Sequence, residues 1–236
     1  MIAPLLNEGL PALGLEPAAE AVARLDHYAR LLLEKNQVMN LTAITEPDQV
    51  ARLHMLDCAA LVNLCRLEGK QLLDVGTGAG FPGMVLKILI PSLEVTLLDS
   101  LNKRLDWLTE TCEILGLTGI RTVHARAEEK SHDPAFREQF DAVASRAVAG
   151  LRTLSELCLP YVKPGGHFLA MKSVESGQEL SAAESALQLL GGAVETVRDY
   201  EIPGTDIRHR VIIIKKIGET PKKYPRGFAK IKKNPL

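Results

Sequence analysis

The chain has 236 residues, 46% of them hydrophobic and 24% charged, with a formal net charge of −1 at pH 7. This composition is typical of one globular domain with an extension, or of two small domains at most, and it excludes a disordered chain. The N-terminal residues lack the pattern of a secretory signal, and no apolar stretch approaches the ~20 residues of a membrane span, so we expect a cytoplasmic protein with no membrane partner.

The N-terminal part of the chain is predicted to be helical. Apolar residues recur at helical spacing from Pro17, which suits a first helical position, to Gln37. A second helix is expected to start at Pro47, with Thr45 as its cap. The stretch Glu68-Gly69-Lys70 that follows marks a boundary. A helical extension is therefore predicted over residues 1–67.

From Gln71 onward the pattern changes to alternating strands and helices. Strands are predicted over Leu72–Val75, Val95–Leu98, Ile120–His124, Phe140–Ala144, His167–Met171, Ala193–Tyr200 and Arg210–Lys215. Helices are predicted over Gly83–Ile90, Asn102–Leu115 and Glu179–Leu190. This alternation implies right-handed crossovers and an α/β fold with a mostly parallel sheet covered on both faces. The last two strands lie close together in the sequence, which allows one antiparallel pairing at the edge.

Basic residues are concentrated at the C-terminus. Residues 215–236 contain eight basic residues and one acidic residue, whereas the rest of the chain carries 20 basic and 28 acidic residues. A basic tail on an acidic body indicates a polyanionic partner. A solvated tail that only keeps the protein soluble explains the same composition, and composition does not decide between the two.

The segment from Asp74 to Gly83, DVGTGAGFPG, follows a predicted strand and opens a predicted helix. Glycines at such a turn let backbone amides approach a ligand closely, and the ligand lies beyond the carboxyl ends of the strands. Three classes of ligand compete for a loop of this kind. They are a dinucleotide, a nucleoside triphosphate, and a nucleoside without a phosphate chain.

Two of these ligands fit the loop poorly. A dinucleotide site requires G-x-G-x-x-G, and counting from Gly76 places Phe81 where the third glycine should stand. A phosphate-binding P-loop requires a lysine and a hydroxyl residue after the last glycine. The range Gly78–Gly83 matches the glycines of that motif, but Met84 and Val85 replace the lysine and the hydroxyl residue.

Two acidic residues favour the third class. Asp99 ends the second predicted strand, where a carboxylate can accept hydrogen bonds from both ribose hydroxyls, although it or Ser100 can also cap the next helix. Glu128 lies just beyond the third strand, beside the expected adenine position, although an exposed helix glutamate is the simpler interpretation of that residue alone. The loop and Asp99 together favour S-adenosylmethionine.

The fourth strand ends in Ser145-Arg146-Ala147, where open α/β sheets commonly carry a catalytic side chain. The Asn/Asp-Pro-Pro-aromatic sequence of methyltransferases that act on exocyclic amines is absent there. None of the four cysteines lies beside a strand end, so an activated thiol has no support. An acceptor that needs no base remains, and guanine N7 qualifies. Arg146 is then expected to hold the cofactor or a phosphate, or to form a buried ion pair.

Further basic residues follow the later strands. Lys172 ends the fifth strand and Arg208-His209-Arg210 lies near the last one, where both are candidates for phosphate contacts. Asn40-Leu41-Thr42 has the spacing of an ordinary helix-ending turn. The cysteines form no C-x-x-C pair and the histidines no H-x-x-x-H pair, so we expect reduced thiols and no metal site.

The combination of these motifs is more specific than any one of them. The glycine-rich loop, Leu97-Leu98-Asp99-Ser100, Lys103-Arg104, Ser145-Arg146-Ala147 and Asn40-Leu41-Thr42 together resemble the RsmG family, also called the glucose-inhibited division protein B (GidB) family. The resemblance implies a class I, Rossmann-like methyltransferase fold with seven strands, one of them antiparallel, and an N-terminal helical extension. It implies methylation of guanine N7 in 16S ribosomal RNA, free or in an assembling small subunit.

The resemblance also assigns site residues and boundaries. We place the methyltransferase domain at residues 68–217 and a basic tail at residues 218–236. The family's cofactor contacts fall on Gly76, Phe81, Ala127, Glu128 and Arg146, and Asp99 joins them by position. The neighbouring residues Thr77, Gly78, Gly80 and Ser100 complete the expected cofactor site. Substrate contacts are expected from Asn40, Arg104, Lys172 and Arg208, with Arg146 and Lys172 as candidates for positioning the base.

We expect a monomer that uses no metal and no general base. Three alternatives stay open at this point. The first is an S-adenosylmethionine-dependent methyltransferase of another substrate, and the second is a non-catalytic RNA-binding protein that has kept the loop. The third is a nicotinamide oxidoreductase, which Phe81 disfavours.

Overall fold

The computed structural model describes residues 1–146 and 149–236. The chain begins with helices α1 (Ala3–Ala12) and α2 (Ala19–Asn36). A continuous helical stretch follows, in which α3 (Pro47–Val50) and α4 (Asp57–Ala59) are separated by a π-helical segment, Ala51–Leu56, and followed by a 3₁₀ turn, Ala60–Asn63. Pro47 starts this stretch as predicted, but the cap position belongs to Glu46, so the prediction of Thr45 as the cap is wrong by one residue.

Seven strands form one sheet: β1 (Gln71–Val75), β2 (Glu94–Asp99), β3 (Ile120–His124), β4 (Phe140–Arg146), β5 (Val162–Ser173), β6 (Gly192–Glu201) and β7 (Arg208–Lys216). Their order is β3-β2-β1-β4-β5-β7-β6. The first five strands pair in parallel, and β7 runs antiparallel to both of its neighbours. The predicted fold class is confirmed: the sheet is mostly parallel and has one antiparallel strand.

The antiparallel pairing that the sequence allows at the edge is present, and it joins β6 to β7. Strand β7 itself lies inside the sheet, between β5 and β6. The centre of β7, Val211–Ile214, is buried throughout, whereas the outer strand β6 is largely exposed or half-buried. A continuous run of β-branched residues is typical of a strand covered on both faces, so β7 takes the inner position and β6 forms the edge.

The remaining helices connect and cover the strands: α5 (Gly83–Leu89), α6 (Asn102–Ile114), α7 (Ala127–Lys130), α8 (Leu151–Cys158), α9 (Gly177–Leu189) and α10 (Phe228–Lys233). Helices α1, α2, α5 and α6 share one hydrophobic core with one face of the sheet. Helices α8, α9 and α10 share a second core with the other face. Across the described residues, no helix is both long enough and apolar enough to span a bilayer.

The C-terminal segment packs against the second core. Tyr224 is 7% exposed and Ile231 is fully buried, so the stretch that the sequence presents as a basic tail is folded onto the body. The N-terminal helices share a core with the sheet. The division of the chain at residues 67 and 217 stays a prediction.

Candidate functional site

The glycine-rich loop joins the end of β1 to the start of α5. Gly78 has φ +58°, a left-handed conformation that L side chains rarely adopt. At Gly80 a Cβ atom would lie 2.5 Å from the Cγ of Met84 and 2.6 Å from the hydroxyl of Tyr28, which donates a hydrogen bond to the carbonyl of Ala79. The N-terminal helix α2, which carries Tyr28, therefore packs directly beneath the loop.

Asp74 forms hydrogen bonds to both ends of the loop. Its Oδ2 accepts hydrogen bonds from the Thr77 hydroxyl at 2.7 Å and from the Gly83 amide at 2.9 Å. The other carboxylate oxygen is fully buried and has no hydrogen-bond partner among the described residues. Burial raises the pKa of Asp74 to about 6. Thr77 is buried, and its hydroxyl forms a hydrogen bond inside the loop, to Asp74.

Asp99 connects the loop to the second strand. Its Oδ2 accepts a hydrogen bond from the Gly78 amide at 2.9 Å, and its Oδ1 accepts one from the Leu101 amide at 2.9 Å. The cap position of α6 is occupied by Leu101, with no capping side chain, so neither Asp99 nor Ser100 is the helix cap. The carboxylate stands where the loop, β2 and the start of α6 meet.

A cleft of about 370 Å³, here called the glycine-loop cleft, opens at this edge of the sheet. Seven of the predicted site residues line it: Gly76, Asp99, Ser100, Arg104, Ala127, Glu128 and Arg146. Gly78, Gly80, Thr77 and Phe81 are outside its lining and lie within or beneath the loop. Leu157 and Phe228 also line the cleft, although no motif in the sequence marks either residue.

Glu128 is 8% exposed, which overturns its interpretation as an exposed helix glutamate. It belongs to the short helix α7, which starts at Ala127. The hydroxyl of Tyr161 donates a 2.6 Å hydrogen bond to the Ala127 carbonyl and fixes the start of that helix. Glu128 is thus a buried residue of the cleft lining, on a helix whose start is fixed by Tyr161.

Arg146 ends β4 and reaches into the N-terminal helical extension. Its guanidinium donates to the Leu53 carbonyl at 2.9 Å, to Asp57 Oδ2 at 3.1 Å and to His54 Nδ1 at 2.9 Å. It also lies 4.9 Å from the centre of the Phe81 ring, on which His54 stacks at 4.5 Å. The buried ion pair that the sequence offered as an alternative for Arg146 is present. Its neighbour Ala147 lies outside the described residues.

Asp57 is the centre of a buried network that spans the fold. Its Oδ1 accepts hydrogen bonds from the Tyr200 hydroxyl and from His209 Nδ1, both at 2.8 Å, while Oδ2 faces Arg146. Burial alone would raise the pKa of Asp57, but the hydrogen bond from His209 and the charge of Arg146 bring the pKa below its usual value. Burial and the charge of Arg146 lower the pKa of His54 to about 4, so His54 is neutral at pH 7.

A second cavity of about 440 Å³, here called the His54 pocket, adjoins this network. Its polar lining is His54, Asp57, Arg146, Lys172, Ser173, Glu179 and His209, and its apolar lining is Ile44, Leu53, Met171 and Ile207. Lys172 donates to Glu179 at 2.7 Å and to the Ala149 carbonyl at 2.9 Å. Arg146 lines both this pocket and the glycine-loop cleft, so the two cavities share a wall.

Two predicted substrate residues lie outside both cavities. Arg208 is exposed, and its neighbour His209 lines the pocket instead, because side chains alternate along a strand. Asn40 is exposed, and it is Asn36 that organises the turn, through hydrogen bonds to the backbone of Thr42 and Leu41. That turn still reaches the site, since the Thr42 hydroxyl lies 2.8 Å from His54 Nε2.

His54 and Asp57 lie at the site although none of the predicted site motifs contains them, and His209, expected as a phosphate contact, is instead hydrogen-bonded to Asp57. The one local signal was Asp57, an acidic residue that interrupts an otherwise apolar helical spacing. His209 is 152 residues further along the chain, so its pairing with Asp57 has no local signal. Among the described residues, no three His, Cys, Asp or Glu side chains come together as a metal-binding group.

The pairing of His209 with Asp57 predicts a specific pH dependence. The hydrogen bond to Asp57 raises the pKa of His209 above 6.5. A raised folded-state pKa adds stability that is complete below about pH 6.5 and is lost as the pH rises through the folded-state value. We expect the NMR titration of His209 to have its midpoint above 6.5, and Asp57→Asn to lower that midpoint.

Glu195→Gln is the matched control, since Glu195 pairs with a different histidine, His167, at 3.1 Å. This variant should leave the titration of His209 unchanged. A His209 midpoint that is the same in Asp57→Asn and in the parent protein would contradict the pairing.

The strand order, the glycine-rich loop after β1 and the acidic residue at the end of β2 define the class I methyltransferase fold. A crystal structure of TrmN from Thermus thermophilus shares it with a TM-score of 0.51 and 26% sequence identity, over 68% of this chain and 49% of that chain.

The family model described as rRNA small subunit methyltransferase G (GidB) matches residues 21–209, and the chain belongs to that family. The resemblance noted in the sequence is thereby confirmed. A relative from Lachnoclostridium phytofermentans, named ribosomal RNA small subunit methyltransferase G, is 48% identical over 97% of this chain and 95% of its own length. One of the same name from Acetivibrio thermocellus is 46% identical over 98% and 96%.

Proposed function

We propose that the protein transfers the methyl group of S-adenosylmethionine to N7 of a guanine in 16S ribosomal RNA. The observation that carries this proposal is that Arg146 forms part of the wall of two adjoining cavities. A nucleoside cofactor in the glycine-loop cleft and a base in the His54 pocket would meet at that wall. Holding two reactants in such an orientation is the main requirement of a methyl transfer between them.

The glycine-loop cleft offers suitable groups for the cofactor. Each oxygen of Asp99 accepts one backbone hydrogen bond and keeps a further lone pair for a ribose hydroxyl. Glu128 and the backbone around Ala127 stand where an adenine amino group can be bound, and Leu98, Leu157 and Phe228 supply apolar surface for the ring. When bound, S-adenosylmethionine supplies a methyl group already activated by its sulfonium charge.

The His54 pocket lacks a free proton acceptor among its described lining residues. Asp57 is paired with Arg146 and accepts a hydrogen bond from His209, and Glu179 is paired with Lys172. His54 is neutral, but its two ring nitrogens already face the Arg146 guanidinium and the Thr42 hydroxyl. An exocyclic amine would have to lose a proton during methylation, whereas guanine N7 attacks with a lone pair and loses none. The pocket therefore favours N7 as the acceptor.

Methyl transfer to N7 moves a positive charge, so the charged residues around the two cavities matter for the reaction. Transfer to N7 would form the new bond to carbon from the N7 lone pair and would leave the electron pair of the carbon–sulfur bond on sulfur. The positive charge would move from sulfur to the guanine ring. Arg146 and Lys172 can hold phosphate or the guanine O6 atom, while Asp57 keeps the Arg146 charge compensated.

The ribosomal substrate is supported by the family and by the names of the relatives from Lachnoclostridium phytofermentans and Acetivibrio thermocellus. We propose that the enzyme acts as a cytoplasmic monomer on 16S RNA in an assembling small subunit.

Transfer of a tritium-labelled methyl group tests this function. We expect incorporation into 16S RNA from a strain that lacks this gene, and little into 16S RNA from the parent strain, where the position is already methylated. Ribosomal RNA of the large subunit is the matched control and should stay unlabelled. Cofactor binding without incorporation into any ribosomal RNA would contradict the proposal and favour a non-catalytic protein or another substrate.

A further inference from the structure

The C-terminal segment, residues 217–236, is fixed to the body by polar contacts as well as by Tyr224 and Ile231. Glu156 of α8 is fully buried, and its carboxylate accepts hydrogen bonds from the Arg226 amide and side chain at 2.7–2.8 Å. Arg137 donates to the carbonyls of Thr220 at 2.7 Å and Tyr224 at 3.0 Å. Removing the segment would leave a buried, unpaired carboxylate, so point substitutions test its role more sharply than truncation does.

This anchored segment places one aromatic ring at the glycine-loop cleft. Phe228 is the first residue of α10, and it lines the cleft together with Leu157 and Glu128. Its side chain is 40% exposed, although the segment around it is held tightly. A partly exposed ring on the rim of a cleft gains burial when a flat, apolar ligand surface lies against it.

The same short helix, α10, also carries a concentration of positive charge. Lys230, Lys232 and Lys233 are exposed and form no ion pair within the part of the chain that the structure describes. No acidic residue occurs after Glu219. Unpaired lysines on a chain that is otherwise acidic suit a polyanion, and contacts between lysine and phosphate are the main source of affinity for RNA.

We propose that residues 217–236 act as a clamp that covers the nucleoside end of the cofactor with Phe228 and binds RNA phosphates through the lysines of α10. The inference rests on the proposed function. Because ring and lysines belong to one six-residue helix, RNA that restrains the lysines also restrains the ring. Bound RNA therefore slows release of the cofactor and raises its affinity, and at equilibrium bound cofactor raises the affinity for RNA by the same factor as RNA raises the affinity for the cofactor.

Phe228→Ala tests the first half of the clamp. Stacking of a base on an aromatic ring is worth ~1–3 kcal/mol, so we expect calorimetry to give about tenfold weaker binding of S-adenosylmethionine without RNA, and a smaller loss in Phe228→Leu. Ile217→Ala is the matched control, since Ile217 is 65% exposed in the same segment but outside the cleft. Unchanged affinity in Phe228→Ala, with affinity lost in Asp99→Ala, would refute the clamp and leave the proposed function standing.

The triple variant Lys230→Gln, Lys232→Gln and Lys233→Gln tests the second half. We expect unchanged cofactor affinity without RNA, and a slope of log affinity for 16S RNA against log salt that is smaller by about 2. RNA should slow cofactor release in the parent protein, measured by stopped flow, and not in the triple variant. Lys70→Gln with Lys163→Gln, at the other end of the sheet beside Asp141, is the control and should keep that slowing. Cofactor release that RNA does not alter in the parent protein would overturn the clamp.

Discussion

Asp99→Ala is expected to weaken the binding of S-adenosylmethionine by more than about 100-fold. The variant removes a buried carboxylate that would accept hydrogen bonds from ribose hydroxyls, and each hydrogen bond to a charged group is worth ~1.5–3 kcal/mol. It also removes the acceptor that holds the Gly78 amide at 2.9 Å and so shapes the loop. Both effects act on the same ligand, so the loss should exceed that of any other single substitution in the cleft.

Asp106→Ala is the matched control for this variant. Asp106 is an exposed aspartate on α6, and its carboxylate pairs with Asn102 outside the cleft. Its replacement should leave calorimetric affinity unchanged. Thermal melting of both variants separates loss of ligand from loss of fold. A folded Asp99→Ala protein with the parent affinity would place the cofactor elsewhere.

Arg146→Met is expected to lose both stability and methyl transfer. The change leaves Asp57, which is 2% exposed, without its arginine partner, and breaking a buried ion pair on one side costs ~3–5 kcal/mol. Urea denaturation measures this loss. Transfer should fall at least ~100-fold, because Arg146 lines both cavities and orients what they hold.

The double variant Arg146→Met/Asp57→Asn separates the two roles of Arg146. It removes the carboxylate charge that has lost its arginine partner, so much of the stability should return while transfer stays low. Recovery of transfer together with stability would mean that Arg146 is only structural. Arg24→Met is the surface control: it breaks an ion pair with the exposed Glu20 on α2 and should change stability and transfer little.

Much of the fold follows from local sequence patterns, and for that reason the strands, the glycine-rich loop and Asp99 could be predicted. Each depends on residues within a few positions of one another. The missed helix α8 had such a pattern too, with Leu151, Leu154 and Cys158 at helical spacing and all buried. The inner position of β7 was harder to predict, because it depends on which of the last two strands pairs with β5.

The site was predictable only where it follows the ends of strands. Asp99, Glu128 and Arg146 are brought to one edge because parallel strands end there together. The His54 pocket instead depends on the π-helical segment and α4 of the N-terminal extension, which place His54 beside Arg146 and Asp57 beside His209 of β7. Phe228 reaches the cleft from the far end of the chain. Such contacts depend on tertiary packing that no short window of sequence contains.

The atom that receives the methyl group decides whether the site works without a proton acceptor. RNA methylated by the protein would be reduced with borohydride and cleaved with aniline, which breaks the chain at N7-methylguanine. We predict one new break, at a guanine of 16S RNA, that requires S-adenosylmethionine and is absent with Arg146→Met. Incorporation of a labelled methyl group into the same RNA without a break would place the methyl on another atom, and it would contradict a site that works without a proton acceptor.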